Sequence, residues 1–158
     1  MSDRLTWDQY FMTITQQVAE RSTCTRAKVG AIIVRDKNIL ATGYNGAPAG
    51  MPHCTDVGCL IYQSKTPNGE TEENCFRTIH AEMNAILFMR EPLSGFTMYV
   101  WPMLSCHRCA VHIIQAGITT VIAPYSPNPR WDDSIEITRW LLREANVNFR
   151  EISANDTD

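Results

Sequence analysis

The chain has 158 residues, enough to bury most of the surface its unfolded form exposes and too few for two ordinary cores, so a single domain over 1–158 is expected. Hydrophobic residues at 44% and charged residues at 20% exclude a disordered or collagen-like chain. With 14 Lys plus Arg against 17 Asp plus Glu, the net charge lacks the basic excess that a nucleic-acid polymer calls for.

The longest clean aliphatic run, Ala31–Val34, is far below the roughly 18 apolar residues of a membrane span. The opening Met1–Leu5 has no signal-peptide layout, which predicts a cytoplasmic chain with no membrane partner and with its six cysteines reduced.

Along the chain, Thr6 and Gln9 form a capping-box pattern, and Tyr10, Phe11, Ile14 and Val18 follow at helical spacing, predicting a helix over 6–22. Residues 29–34 and 39–44, joined by polar Arg35–Asn38, read as a β-hairpin. Residues 45–73 are rich in Gly, Pro, Cys and Asn with little periodicity, a length that inside a compact domain signals function or a clamp. A helix over 79–90 comes next, ended by Pro92 and Gly95. Then a strand at 97–101, a helix at 106–116 closed by Gly117, a strand at 119–123, a helix at 133–145 and a strand at 148–152 alternate. This order predicts an α/β fold, a three-layer α/β/α sandwich around a mixed five-stranded sheet.

The strongest chemical signal is His80-Ala81-Glu82 at one predicted helix start, paired with Cys106-His107-Arg108-Cys109 at the next. Two cysteines three apart project from one helical face, and the N-terminal dipole favours their thiolates. With His80 they make a three-ligand zinc set that leaves a fourth position for water, as catalytic sites do. Glu82 belongs outside the coordination sphere, where a carboxylate can move the water's proton. A surface His–Glu pair beside a structural zinc knuckle or redox Cys-x-x-Cys is the competing reading. His112 stands about 9 Å along the helix axis from Cys106, too far for the same tetrahedron, and reads as a packing histidine. His107 is expected to point away from the metal.

H-x-E followed by C-x-x-C is the zinc-deaminase signature, and the chain resembles the cytidine deaminase superfamily. Within it the resemblance is to the deoxycytidylate deaminase branch, carried by Trp7–Met12, Arg21-Ser22, Val29–Ala31, Gly43–Pro48, His80–Ile86, Cys109-Ala110 and Gln115–Ile118. It implies a cytidine deaminase-like fold and hydrolytic deamination of dCMP to dUMP and ammonia, feeding thymidylate synthesis. Glu82 would carry the proton to N3 and then to the leaving amine, Asn45 and the Ala81 N–H would hold the nucleotide, and Tyr125 would touch its 5′-phosphate. A loop aromatic covering the core edge is the other reading of Tyr125. One departure is Ser105, where the superfamily usually carries proline; serine can also start a helix.

Cys24, Cys54, Cys59 and Cys75 surround the irregular stretch, with His53 beside Cys54. Four thiolates would close a second, structural zinc site of the kind some relatives carry; reduced, unliganded cysteines are the alternative. Gly43, Tyr44 and Gly46 lie in a glycine-rich run close in the hairpin to Arg26 and Lys28, which suits a triphosphate, although an ordinary turn with two solvated charges has the same composition. The resemblance implies activation by dCTP with Mg²⁺, inhibition by dTTP, and a homo-oligomer, usually a hexamer. Two rival functions stay open: another nucleobase or tRNA adenosine deaminase with this zinc core, and a non-catalytic zinc-stabilised binding module.

Overall fold

The structure, a computed structural model, describes residues 3–92 and 94–153. The first helix, α1 (Trp7–Ala19), starts on the expected box: Gln9 N–H donates to Thr6 Oγ1 at 3.2 Å, and Thr6 N–H donates to Gln9 Oε1 at 2.9 Å. Two backbone donors that the helix cannot pair are thereby satisfied.

The hairpin follows as β1 (Gly30–Arg35) and β2 (Asn38–Tyr44). Its turn is tighter than the four polar residues suggest, because Asp36 and Lys37 both adopt positive φ, at 50° and 63°. That pair matches the right-handed twist of the strands. A register shift at Ile33/Val34 leaves Leu40 as the extra, unpaired residue of a bulge in β2.

The stretch expected to be irregular is partly ordered. It holds a short helix, α2 (Cys54–Val57), and two strands, β3 (Ile61–Lys65) and β4 (Thr71–Cys75), paired antiparallel as a separate small sheet. β3 is largely exposed and β4 holds no fully buried residue, so neither carries an apolar face whose alternation could announce it. The turn Thr66–Glu70, with Gly69 at φ 93°, was the available signal: Pro67-Asn68-Gly69 is a turn sequence.

The remaining elements are α3 (Ala81–Phe88), β5 (Thr97–Trp101), α4 (His107–Ala116), β6 (Thr120–Pro124), α5 (Asp132–Glu144) and β7 (Asn148–Ile152). The main sheet has the order β2-β1-β5-β6-β7. β1 runs antiparallel to β2 and β5, while β5, β6 and β7 are parallel, so the mixed five-stranded sheet is present.

The two faces are covered unequally. Ile32 and Val34 point to one side and meet Phe11 and Met12 of α1, with Tyr99 and Ile122. Ala31 and Ile33 point to the other, where Ala81 and Ala85 of α3, Ile113 of α4 and Leu142 of α5 pack over Met98, Val100 and Val121. A strand buried on both faces reads as a continuous apolar run, as β1 does. Each such fully buried aliphatic chain contributes about 1.5–3 kcal/mol.

Gly43 sets how closely α3 lies on the sheet. A Cβ there would stand 2.3 Å from the Ala81 carbonyl and 2.4 Å from the Ala85 nitrogen, so only glycine lets the helix backbone seat on β2. No helix among the described residues is long and apolar enough to cross a membrane.

Candidate metal centre and its cavity

His80 and Cys106 occupy equivalent places. Each is the N-cap of its helix in extended conformation, and neither side chain caps its own helix. The imidazole and the thiol are therefore free to turn toward one another. Glu82 is the second residue of α3 and Cys109 the third of α4, so each helix supplies an N-cap donor and a group one short step inside. Cys106 thus precedes the helix it was expected to open, and it is Cys106, not Ser105, that caps α4. Ser105 is buried, its carbonyl accepting from Thr138 Oγ1 at 2.7 Å.

His80 Nδ1 lies 3.5 Å from Cys106 Sγ and 3.3 Å from Cys109 Sγ, and the three donor atoms lie within 4.8 Å of one another. Two ligands of a tetrahedral zinc, at Zn–S of about 2.3 Å and Zn–N of about 2.0 Å, stand roughly 3.6 Å apart. The donor set fits zinc in chemistry and in spacing. Glu82 Oε2 accepts from the Cys109 thiol at 3.7 Å and is outside this trio.

The three donors and Glu82 are electrostatically coupled. The Cys106 thiolate beside it pushes the His80 imidazole up to about 9. Cys106 in turn is pulled down to about 4 by the hydrogen bond from Cys109 and by His80. Cys109, hydrogen-bonded to that thiolate, buried and close to Glu82, is held well above the thiol range. Burial, then the Cys106 charge, pushes the Glu82 carboxyl up. A carboxyl with a raised pKa can hold a proton between two transfers.

These groups stand in the wall of a cavity of about 700 Å³. Of the residues expected at a substrate, Asn45 and Ala81 line it and Tyr125 does not. Asn45 is buried and its amide is held at both ends, Oδ1 accepting from Val29 N–H and Nδ2 donating to the Ala27 carbonyl, each at 2.9 Å. One Nδ2 proton is left for a ligand. Ala81 is the first residue of α3, where backbone N–H groups have no partner inside the helix. Tyr125 is 59% exposed and borders a second, smaller pocket with Arg139 and Glu151.

Arg26 and Lys28 also line the main cavity. Gly43 and Gly46 do not, and the close approaches they permit are to protein. Gly43 admits α3, and a Cβ on Gly46 would stand 2.3 Å from Thr23 Oγ1. Gly46 exchanges two backbone hydrogen bonds with Ile79, and the Tyr44 carbonyl accepts from Asn84 Nδ2 at 2.8 Å. These glycines fasten the loop to the start of α3.

His107 turns to Ser134, its Nδ1 2.8 Å from Ser134 Oγ, as expected of a residue facing away from the ligands. His112 is not a packing residue: it is exposed, with Nδ1 2.7 Å from the Arg108 carbonyl. Arg108, Arg130 and the β3–β4 hairpin also line the cavity; the Pro67-Asn68-Gly69 turn was the one signal for the hairpin, and neither arginine stands out by residue type.

Of the second cysteine group, Cys54, Cys59 and Cys75 come together within 4.8 Å, without Cys24. All six cysteines are free. Burial raises Cys54, whereas at Cys75 hydrogen bonds from Thr78 and from backbone N–H groups outweigh burial and bring the thiol down to about 6.

The profile of the cytidine and deoxycytidylate deaminase zinc-binding region matches residues 5–124. ComE operon protein 2 of Bacillus subtilis is 48% identical over 124 residues, 75% of this chain and 59% of that protein's length. The deoxycytidylate deaminase of Mycobacterium phage D29 is 41% identical over 124 residues, 75% of this chain and 94% of the phage protein. Among solved structures, the dCMP deaminase of cyanophage S-TIM5 in complex with dCMP and dUMP has a TM-score of 0.66 at 27% identity, covering 90% of this chain and 94% of the other. With the ligand trio, the buried carboxyl and a match over most of its length, this chain belongs to the cytidine and deoxycytidylate deaminase family.

Proposed function

We propose that the chain catalyses hydrolytic deamination of dCMP to dUMP and ammonia. The observation that carries the reaction class is the buried Glu82 carboxyl set against Cys109 but outside the His80–Cys106–Cys109 trio; a merely structural metal site needs no such proton carrier. The names of the phage relatives and the dCMP-bound cyanophage structure support the substrate.

His80, Cys106 and Cys109 would hold zinc, which when bound supplies Lewis-acid activation of the attacking water. Glu82 takes the proton released from that water, delivers it to N3 of the cytosine and later serves the leaving amine. Its raised pKa suits a group that must be protonated in one step and ionised in the next. The Ala81 N–H faces the pyrimidine carbonyl, and the remaining Nδ2 proton of Asn45 positions the nucleotide. The acidic balance of the chain supports a free nucleotide over a nucleic-acid polymer.

The Cys54–Cys59–Cys75 group, its three thiols within 4.8 Å of one another, supports a second, structural zinc. Regulation by dCTP with Mg²⁺ and by dTTP rests on the family resemblance, together with the cations Arg26 and Lys28 at the cavity. Assembly into a homo-oligomer, a hexamer by that resemblance, is supported by the exposed apolar residues Leu87 and Phe88 of α3 and Val111 of α4.

The test is ammonia release from dCMP, dCTP, cytidine and tRNA offered separately to the zinc-loaded protein. Preference for dCMP supports the reading; turnover of tRNA alone, or of nothing, overturns it.

A further inference from the structure

Ser105 carries a buried hydroxyl with nothing to bond. The residue is 2% exposed, and its Oγ has no hydrogen-bond partner. A buried hydroxyl left unpaired is unfavourable, so it points to a partner that the molecule supplies in another state. The backbone around it is tied down on both sides. Its carbonyl accepts from Thr138 Oγ1 at 2.7 Å, and the His107 N–H donates to Ser134 Oγ at 3.0 Å. Ser134 and Thr138 stand one turn apart on α5, so that helix holds the approach to α4 in place.

The group beside the hydroxyl is the Glu82 carboxyl, itself 4% exposed. Burial and the Cys106 charge push that carboxyl up, and Ser105 is among the neighbours that oppose them, after His80 and the Glu82 backbone N–H. Glu82 lines the cavity and Ser105 does not, so a ligand meets the carboxyl and not the hydroxyl. In this structure a thiol donates to the carboxyl, Cys109 S–H to Oε2 at 3.7 Å. Cys109 is also a candidate metal ligand, and a cysteine that coordinates zinc does so as a thiolate with no proton to give. The serine hydroxyl turns about its C–O bond to suit an acceptor, and a bond to a carboxylate is stronger than one between neutral groups.

We propose that Ser105 is a positioning residue for the deamination: its hydroxyl donates to the Glu82 carboxylate in the zinc-loaded chain and anchors it from outside the cavity. The proposal rests on the reading of Glu82 as the proton carrier and adds what holds that carrier still. Ser105 touches neither substrate nor metal and acts only through Glu82. A carboxylate anchored through one oxygen keeps the other for the water and for N3, and fixed aim is what a proton transfer within a bound complex requires.

The test uses the full chain, zinc-loaded and isotopically labelled at its glutamate carboxyl carbons. The Glu82 resonance is identified by its loss in Glu82→Gln. It should move in Ser105→Ala and in Ser105→Gly, while the other glutamate signals stay in place; agreement of the two variants separates the lost bond from a local change of packing. With dCMP, both variants should lose kcat by about 10- to 100-fold, the usual effect of removing a hydrogen bond to a charged group, with KM and zinc content unchanged. In the Glu82→Gln background neither substitution should lower the remaining rate further. A Glu82 resonance indifferent to both variants, an equal loss in the Glu82→Gln background, or a loss carried by KM or zinc content would each overturn the proposal. If the wild type does not deaminate dCMP, the functional reading fails by itself, and the Glu82 resonance alone decides the bond from Ser105.

Discussion

The Cys109 thiol donates to Glu82 Oε2 across 3.7 Å, so the carboxyl touches the His80–Cys106–Cys109 trio without joining it. Glu82→Gln preserves the shape and removes the carboxyl that carries the proton in the proposed reaction. Zinc content should stay at the wild-type level while ammonia release from dCMP falls by about 10²- to 10⁴-fold. Both are measured on one sample. Loss of zinc along with activity would mean that Glu82 is a ligand; Cys106→Ser and Cys109→Ser should lose the metal first.

Zinc affinity should rise with pH. In the metal-free chain the His80 proton, held up to about 9, and the Cys109 proton, held higher, must both leave before zinc is bound, whereas Cys106, at about 4, is already a thiolate. Each displaced proton steepens the dependence by about tenfold per pH unit. Calorimetry in buffers of different ionisation heat should count one proton from each of His80 and Cys109. Proton-free binding at neutral pH would refute this charge distribution.

Gly43→Ala would drive a methyl into the Ala81 carbonyl at 2.3 Å. The variant should be less stable by about 1–3 kcal/mol, the usual cost of overpacking, and should bind zinc more weakly, because α3 carries His80 at its N-cap. Thermal unfolding and a zinc titration report the two effects. A variant indistinguishable from wild type in both would show that α3 is not seated on β2 as described.

Elemental analysis should find two zinc ions per chain. Cys54→Ser should lower the melting temperature and leave turnover per zinc at the His80 site unchanged, since a metal held by Cys54, Cys59 and Cys75 would tie the 54–75 segment and take no part in the reaction. One zinc ion per chain in carefully prepared wild type would remove the second site.

The ligand pattern was legible because it is local. His80 and Glu82 are two residues apart, Cys106 and Cys109 three apart, and at a helix start such spacing already presents both groups of each pair to one place. The alternation after residue 97 was legible for a similar reason: period-2 and period-3.6 patterns report a buried face wherever one exists. The β3–β4 hairpin has almost no buried face, and so its composition resembled a loop.

Sequence alone therefore placed the starts of the main helices to within about two residues, the strands of the main sheet and the residues of the candidate ligand trio, since each follows from neighbours along the chain. Tertiary structure decided what those neighbours meet. It seated α3 on Gly43, stapled Gly46 to Ile79 where a ligand-binding loop was expected, left Cys24 out of the cysteine cluster and placed Tyr125 outside the cavity. It also brought Arg26 and Arg130 to Glu73 across 47 and 57 residues. Contacts of that range depend on the path of every intervening loop, and side-chain spacing along the chain carries no record of that path.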